Sequence, residues 1–557
     1  MRWRVLTKIK SKKPKDRQEE IIKSLLKNRG LKTKSQQEKF LNPLKPSSLT
    51  LKELAISARE IKKALNRIKK AIEKKEEIIV YGDFDADGIC GTAILWEALA
   101  QKGAKVLPYI PDRIKEGYGL NNQTLKRLKE EKPDLSLIIT VDQGIVAHKQ
   151  VDFARRLGLE VIITDHHQPA KRKPKAEAIV HTTSLAGAGV AWILAREMGI
   201  KKTASCLELA AIGTIGDLLP MVGPSRSLVK FGLEEINQTE RPGILALLKA
   251  AGIEKGKIGA YEVGFMIAPR LNAMGRMENA LDSLRLLCTR DPERAGRLAQ
   301  KLEETNRRRL KEMEESASRA KELVLSQYPE IKQSASPKLI YIEDESYQEG
   351  IIGLIASKLV DEFYRPAIVI ARRKEYSKAS ARSISGFNVI EAIRVASDLL
   401  VDSGGHPMAA GFTVETKHIG LVGEKISQVA ESQLDRRKLV KTLKVDCEVF
   451  LTDLTFNLYE KIGQFSPFGV GNPQPVFVTR KARAVEARLV GAGNQHLKLK
   501  INSSEVKSGF GAIGFGLGSF YARLSPEKPV DVAYNLVVNK WDGKEKLELR
   551  LKDLRLD

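Results

Sequence analysis

Cysteine is scarce in this chain, and the four present, Cys90, Cys206, Cys288 and Cys447, stand far apart with no CxxC pair. That spacing argues against a disulfide framework and against zinc, and it fits a reducing cytoplasm. No apolar run reaches the roughly 18 residues of a membrane span. Met1-Arg2-Trp3-Arg4 does not open like a secretory signal, so a cytoplasmic protein away from the membrane is expected. Internal repeats and low-complexity tails are absent as well. Acid is in deficit: 69 Asp and Glu stand against 94 Lys and Arg, a formal net charge of +25. A field of that sign attracts polyanions, nucleic acid first and acidic membrane second, although a lysine-rich solvated surface gives the same count. At 557 residues and 42% hydrophobic content, the chain is expected to hold three or four ordinary globular domains.

The acids that do occur are concentrated. Ile78-Ile79-Val80-Tyr81 runs into Asp83-Phe84-Asp85-Ala86-Asp87-Gly88, with Gly88 allowing a sharp turn into a helix from about Ile89. Leu137 to Val141 runs into Asp142-Gln143-Gly144, and Val161 to Thr164 into Asp165-His166-His167. A fourth acid, Asp217, ends the small-residue stretch Ala210 to Gly216. Short β-branched runs that each end in an anion, separated by helical sequence, predict a parallel α/β sheet with its carboxylates at one crevice. A lone strand-end aspartate serves as readily as a helix N-cap. Several carboxylates sharing a site with imidazole need a compensating charge. Mn²⁺ or Mg²⁺ suits that donor set better than zinc, and two such ions can bind a phosphate and activate water.

The organisation around this unit follows from pattern. Leu54, Ile61, Leu65, Ile68 and Ile72 form one apolar helical stripe leading into the first strand. Strands alternate with helices from about 76 to 225. Pro292 to about Gln327 contains one Gly and no further Pro after its start, and predicts a bridging helix about 50 Å long. Gln333-Ser334-Ala335-Ser336-Pro337 marks a boundary before a second α/β unit over 338–435. After Lys444, short strands with glycine turns predict a small β-barrel.

At Asp85-Ala86-Asp87-Gly88, Asp142 with Gly144, Asp165-His166-His167 and Ser403-Gly404-Gly405-His406, the chain resembles the DHH/DHHA1 phosphoesterase superfamily. Within it, the chain looks like the single-strand-specific 5′→3′ DNA exonucleases. That likeness extends through Leu26 to Gly30, Phe40 to Pro43, Gly117 to Asn121, Pro269 to Arg276, Gly350 to Ala356 and Pro467 to Pro473. The resemblance implies an α/β multidomain fold. An N-terminal helical segment (1–75) precedes the parallel-sheet DHH catalytic domain (76–230). A helical connector with the long bridging helix (231–332), a smaller DHHA1 domain (333–440) and an OB-fold-like nucleic-acid-binding barrel (441–557) follow.

Carried over residue by residue, the resemblance makes Asp85, Asp87, Asp142, His166 and Asp217 ligands of two divalent ions, Mn²⁺ or Mg²⁺. His167 would face the scissile phosphate, with Asp83 as an outer acid or occasional ligand. Arg113, Ser380 and Arg382 would hold a terminal 5′ phosphate, and the fork geometry of arginine suits that task. His406, in its glycine-rich turn, would contact DNA or else cap the turn. Arg276 and Asn272 would touch DNA or else form a domain-interface pair, and Tyr118 offers a face for base stacking. The implied protein is a monomer acting on single-stranded DNA in repair and recombination, with a helicase and a single-strand-binding protein as possible partners. Many relatives carry Trp-His where Tyr347-Gln348 stands, and Asn or Cys where Gln143 stands. Two other readings remain: a phosphoesterase of oligoribonucleotides, cyclic dinucleotides or pyrophosphate, and a DNA-binding scaffold without catalysis.

Overall fold

A computed structural model describes residues 1–11, 13–113, 115–200, 206–331, 337–503, 506–541 and 543–556. The chain divides into two compact units, one of them Met1–Arg2, Arg276–Glu278 and Leu302–Leu443, the other Trp3–Gly275, Asn279–Lys301 and Lys444–Asp557. The expected boundary segment 333–336 lies outside the described residues. No described helix is long and apolar enough to cross a membrane.

The larger unit opens on β1 (Arg2–Lys8) and the helices Pro14–Asn28, Lys34–Leu41 and Ala58–Glu73. Ser57 caps the third of these helices, and Leu54 lies in the turn before it. The buried stripe is therefore Ile61, Ala64, Ile68 and Ala71, with Leu65 and Ile72 only flanking it. A parallel sheet follows, built from β2 (Glu77–Tyr81), β3 (Lys105–Tyr109), β4 (Leu135–Val141), β5 (Glu160–Asp165) and β6 (Ala178–His181). Its order is β3-β2-β4-β5-β6, and every pairing is parallel. The central strands are apolar on both faces, as a sheet covered by helices on both sides requires. Because β2, β4 and β5 are neighbours, the three acid motifs that follow them emerge side by side at one sheet edge.

The smaller unit holds β7 (Ile340–Asp344), β8 (Ala367–Ala371), β9 (Tyr376–Arg382), β10 (Leu400–His406) and β11 (Ala409–Glu415). They form a mixed sheet in the order β10-β11-β9-β8-β7. The expected long helix is Pro292–Gln327, 36 residues, beginning in one unit and ending in the other.

The C-terminal part of the larger unit adds β12 (Thr442–Glu448), β13 (Phe477–Val490), β14 (His496–Ser503), β15 (Val506–Gly514), β16 (Pro529–Trp541) and β17 (Lys544–Leu556). Strands pair in the circuit β13-β14-β15-β17-β16-β13, a closed five-stranded barrel. The barrel does not have its core to itself. Ile21, Leu25, Leu26 and Phe40 of the N-terminal helices are buried in the same cluster as Phe477, Leu499 and Leu549. Polar ties reinforce the joint: Trp3 Nε1 donates to Asp553 Oδ2 at 2.7 Å, and Arg17 Nε to Asp453 Oδ1 at 2.7 Å. The two ends of the sequence thus form one packed body.

Candidate metal centre and phosphate cradle

The helix after β2 begins at Ala86, earlier than the sequence suggests, so Asp87 and Gly88 lie inside its first turn. Gly88 serves close packing rather than a turn. A Cβ there would sit 2.6–2.7 Å from Asp83. Asp85 is the N-cap, and its Oδ1 accepts from Asp87 N (2.9 Å) and Gly88 N (3.0 Å). Ala86 N, an otherwise orphaned donor of the first turn, donates to Asn272 Oδ1 at 2.6 Å. Asn272 thereby fixes the acid turn from outside.

Asp87 is fully enclosed. Its Oδ2 accepts from Gly187 N (2.6 Å) and its Oδ1 from Ala188 N (2.9 Å), both at the start of the helix Gly187–Glu197. Small residues make room: a Cβ at Gly213 would meet Asp87 Oδ1 at 2.5 Å, and one at Gly187 would meet Asp142 at 2.5 Å. Asp142 adopts φ 63°, a left-handed conformation rare outside glycine, which turns the chain sharply at the end of β4. The next residue, Gln143, is buried and donates from Nε2 to Gly82 O at 2.7 Å, tying the Asp142 turn to the end of β2.

His166 Nε2 stands at the centre, 3.0 Å from Asp142 Oδ1, 3.6 Å from Asp217 Oδ2 and 3.8 Å from Asp87 Oδ2. Asp217 caps the C-terminus of the helix Leu207–Gly216. His167 is held by Asp165, whose Oδ1 accepts from His167 Nδ1 at 2.8 Å, while its Oδ2 accepts from Ile145 N. Tyr118, 56% exposed, donates its hydroxyl to Asp142 O at 3.2 Å and lies edge-on to His167.

Charge crowding is severe. Burial first, then repulsion from Asp85, pushes Asp87 up to about 7. The same two causes hold Asp83 well above the carboxylate range. Burial, then Asp87 and Asp85, raise Asp217 to about 8, and burial with neighbouring acids raises Asp142 strongly. Burial alone would lower His167, but the hydrogen bond and charge of Asp165 bring it up to about 9. Such a set calls for an external cation.

The donor atoms meet that demand. Asp142, His166 and His167 bring one ligand atom each within 4.8 Å of one another, as do Asp87, His166 and Asp217, and Asp83, Asp85 and Asp142. Asp142 Oδ1 is buried without accepting a hydrogen bond, as expected of an atom kept for a metal. Mixed carboxylate and imidazole donors suit Mn²⁺ or Mg²⁺.

The remaining expected site residues fall in two places. In the larger unit, Arg113 lies with its guanidinium 5.1 Å from the Phe84 ring centre. In the smaller unit, Arg382 Nη1 donates to Ser380 Oγ at 3.2 Å, and a Cβ at Gly353 would sit 2.8 Å from Arg382 and 3.0 Å from Ser380. The first turn of the helix Ile352–Phe363, at Gly353, therefore packs directly on the end of β9. Arg276 Nη1 donates to Gly350 O at 3.1 Å and so buttresses the entry to that turn. His406 is exposed at the end of β10, paired with Ala409, in a strand rather than a glycine-rich turn. Tyr347 is buried in the core of the smaller unit.

Sequence reasoning passed over Asp165 as the residue that orients His167, and over the Gly187 and Ala188 amides that hold Asp87. The run Ala186-Gly187-Ala188-Gly189 carried the signal for those amides, since only small residues admit so close an approach.

Three family models match in order: the DHH family N-terminal domain at 77–214, the DHHA1 domain at 336–432 and the RecJ OB domain at 445–553. The chain is 36% identical to the single-stranded-DNA-specific exonuclease RecJ of Bacillus subtilis, with 99% of this chain and 70% of that protein covered. With RecJ of Thermus thermophilus it shares 35% identity over 87% of this chain and 69% of the relative. The crystal structure of Thermus thermophilus RecJ in complex with Mn²⁺ superposes with a TM-score of 0.82 at 30% identity, covering 100% of this chain and 79% of that one. Its complex with Mg²⁺ gives 0.74 at 29% identity, covering 100% and 78%. With both halves of the catalytic fold and the C-terminal barrel matched in the same order, the chain belongs to the RecJ family of single-stranded-DNA-specific exonucleases.

Proposed function

We propose that this protein hydrolyses single-stranded DNA from its 5′ end, one phosphodiester at a time, with two divalent ions held by Asp85, Asp87, Asp142, His166 and Asp217. The observation that carries the reading is Asp142, which belongs to two of the three ligand groups and keeps a buried oxygen without a hydrogen bond. Ions bound there supply positive charge to the phosphate oxygens and lower the pKa of an attacking water. The chain's own residues do the rest. His167, held at Nδ1 by Asp165, keeps a proton at Nε2 to give to the leaving oxygen. Tyr118 borders His167 and offers a ring face to the terminal base. In the smaller unit Ser380, Arg382 and His406 bind the terminal phosphate and the adjoining backbone through charge-assisted hydrogen bonds, which sets the polarity, and in the larger unit Arg113 offers a guanidinium to a phosphate of the strand. Asp83 supports the acid turn, and Asn272 and Arg276 hold the turns that carry these groups. The +25 charge and the barrel draw the strand in without reading its sequence.

Digestion of end-labelled single strands, duplex and dinucleotides with and without Mn²⁺ tests this reading. Metal-dependent release of 5′ mononucleotides from single strands is expected. Preferential hydrolysis of dinucleotides would favour the small-substrate phosphoesterase, and binding without cleavage would favour the scaffold.

A further inference from the structure

The segment Gln464–Pro473 belongs by sequence to the barrel domain, yet its tip touches the chain leaving Asp217. Met221 N donates to Val470 O at 2.7 Å. A Cβ on Gly469 would lie 2.7 Å from Met221 Cγ, and one on Gly471, at φ +74°, 3.0 Å from Pro220 Cβ. Both glycines are thus matched to the Pro220-Met221 surface. Between that surface and the acid stands only Leu218-Leu219, with Leu218 in the left-handed conformation at φ 58°. A chain that turns so sharply after a helix C-cap needs an outside support to keep one geometry.

The tip is itself rigidly held. Asn472 is 0% exposed, and its Nδ2 donates to Phe465 O (2.8 Å) and Pro467 O (2.9 Å). Its Oδ1 accepts from Arg29 Nε at 2.7 Å, and Arg29 Nη2 donates to Pro473 O at 2.6 Å. From the other side, the buried Arg226 donates to Ser466 O (2.6 Å) and Gln464 O (3.1 Å). Arg226 lies on the helix Gly223–Gln238, which starts just after Met221. The segment is therefore anchored at its base, and glycines flank Val470 at its tip where the chain meets Pro220 and Met221. A mere linker needs neither feature.

We infer that Gln464–Pro473 is a brace for the Asp217 end of the acid cluster, with Asn472 as its positioning residue. The barrel domain then serves the metal centre as well as DNA. The inference rests on the assignment of Asp217 as a ligand, so Asp217→Asn is the control. Mn²⁺ binding to the DNA-free full chain, followed by paramagnetic resonance, is measured for Asp217→Asn, Asn472→Ala and Gly469→Ala. Steady-state kinetics are recorded alongside across Mn²⁺ concentrations. Asn472→Ala and Gly469→Ala are each expected to weaken Mn²⁺ binding about tenfold, the effect typical of residues supporting a ligand. Excess Mn²⁺ should restore kcat, and KM for DNA should stay as in the wild type. Gly469→Ala removes no hydrogen-bonding group of the segment and decides the matter if Asn472→Ala does not fold. Wild-type Mn²⁺ affinity in a folded Gly469→Ala, with Asp217→Asn impaired, overturns the brace. A raised KM for DNA at unchanged Mn²⁺ affinity overturns it equally, by making the segment a DNA contact. Wild-type binding in Asp217→Asn would instead remove the ligand assignment.

Discussion

His166 Nε2 lies 3.0 Å from Asp142 Oδ1, joining the ends of two neighbouring strands at one point. Each residue belongs to two of the three ligand groups, so the pair is the hinge of the cluster. Asp142→Ala is expected to lower cleavage more than about a hundredfold, because it removes a shared ligand. DNA affinity should stay within a few-fold, since the cationic surface is untouched. Wild-type turnover by this variant would remove the shared-ligand assignment.

His167 calls for a different outcome. Its Nδ1 is committed to Asp165, and its side chain is a third exposed toward the site. His167→Ala should retain Mn²⁺ binding yet lose about 100- to 10,000-fold in kcat, the range for general acid–base groups. A loss confined to Mn²⁺ affinity would make it a ligand rather than a proton donor.

The raised carboxylates give a pH prediction with a definite sign. Asp87 and Asp217 titrate near 3.8 when unfolded but at about 7 and about 8 in the fold. Between those values the unfolded chain binds fewer protons than the folded one, so stability of the metal-free protein falls as pH rises. His167, raised to about 9, works in the same direction, its contribution being complete below about 6.5 and lost through about 9. Mn²⁺ competes with the carboxyl protons, so the rise in Tm on adding Mn²⁺ should be larger at pH 8 than at pH 6. An equal rise at both pH values would count against metal binding at these acids.

Much of this site was legible because strand ends are. An apolar β-branched run that stops at an acid shows both where the sheet edge is and what stands there. Asp83 to Asp87, Asp142 and His166-His167 were found in that way. The two-sided burial of Asp87 was not, because the amides of Gly187 and Ala188 come from 100 residues away and carry no side chain to read. Gly88 misled for a related reason: sequence suggests a turn where the fold needs room for Asp83. The shared core of the barrel and the N-terminal helices was equally hidden. Ile21 and Leu25 stand one helical turn apart, but nothing in that spacing names Phe477 or Leu549 as the partner.

That shared core changes how the barrel's role is tested. Removing everything after about Lys444 would expose Ile21, Leu25, Leu26 and Phe40, so the loss would not report on DNA binding alone. Point changes are cleaner. Arg488 and Lys498 line one groove of the barrel beside Phe510 and Phe456. Replacing each by Ala should flatten the slope of log affinity against log salt by about 0.7 per lost phosphate contact. Cleavage of oligonucleotides too short to reach the barrel should be unchanged. An unaltered salt slope would mean that this groove does not carry the strand.

On the proposed reading, polarity depends on a single kind of contact. Ser380 and Arg382 are held together at the end of β9, against the first turn of the helix Ile352–Phe363, which leaves no room for a side chain at Gly353. A guanidinium beside a hydroxyl at the start of a helix suits a dianionic terminal phosphate better than an internal monoanionic one. Truncating one partner of such a charge pair costs about 2–4 kcal/mol, or about 30- to 1000-fold in affinity or rate. Arg382→Ala should therefore lose that much on 5′-phosphorylated single strands. It should lose little on strands with a 5′ hydroxyl, which the wild type should degrade poorly. In the wild type, a strand blocked at its 3′ end should be digested normally, and one blocked at its 5′ end should resist. The opposite pattern of resistance would reverse the polarity and leave Ser380 and Arg382 without the terminal phosphate as their ligand.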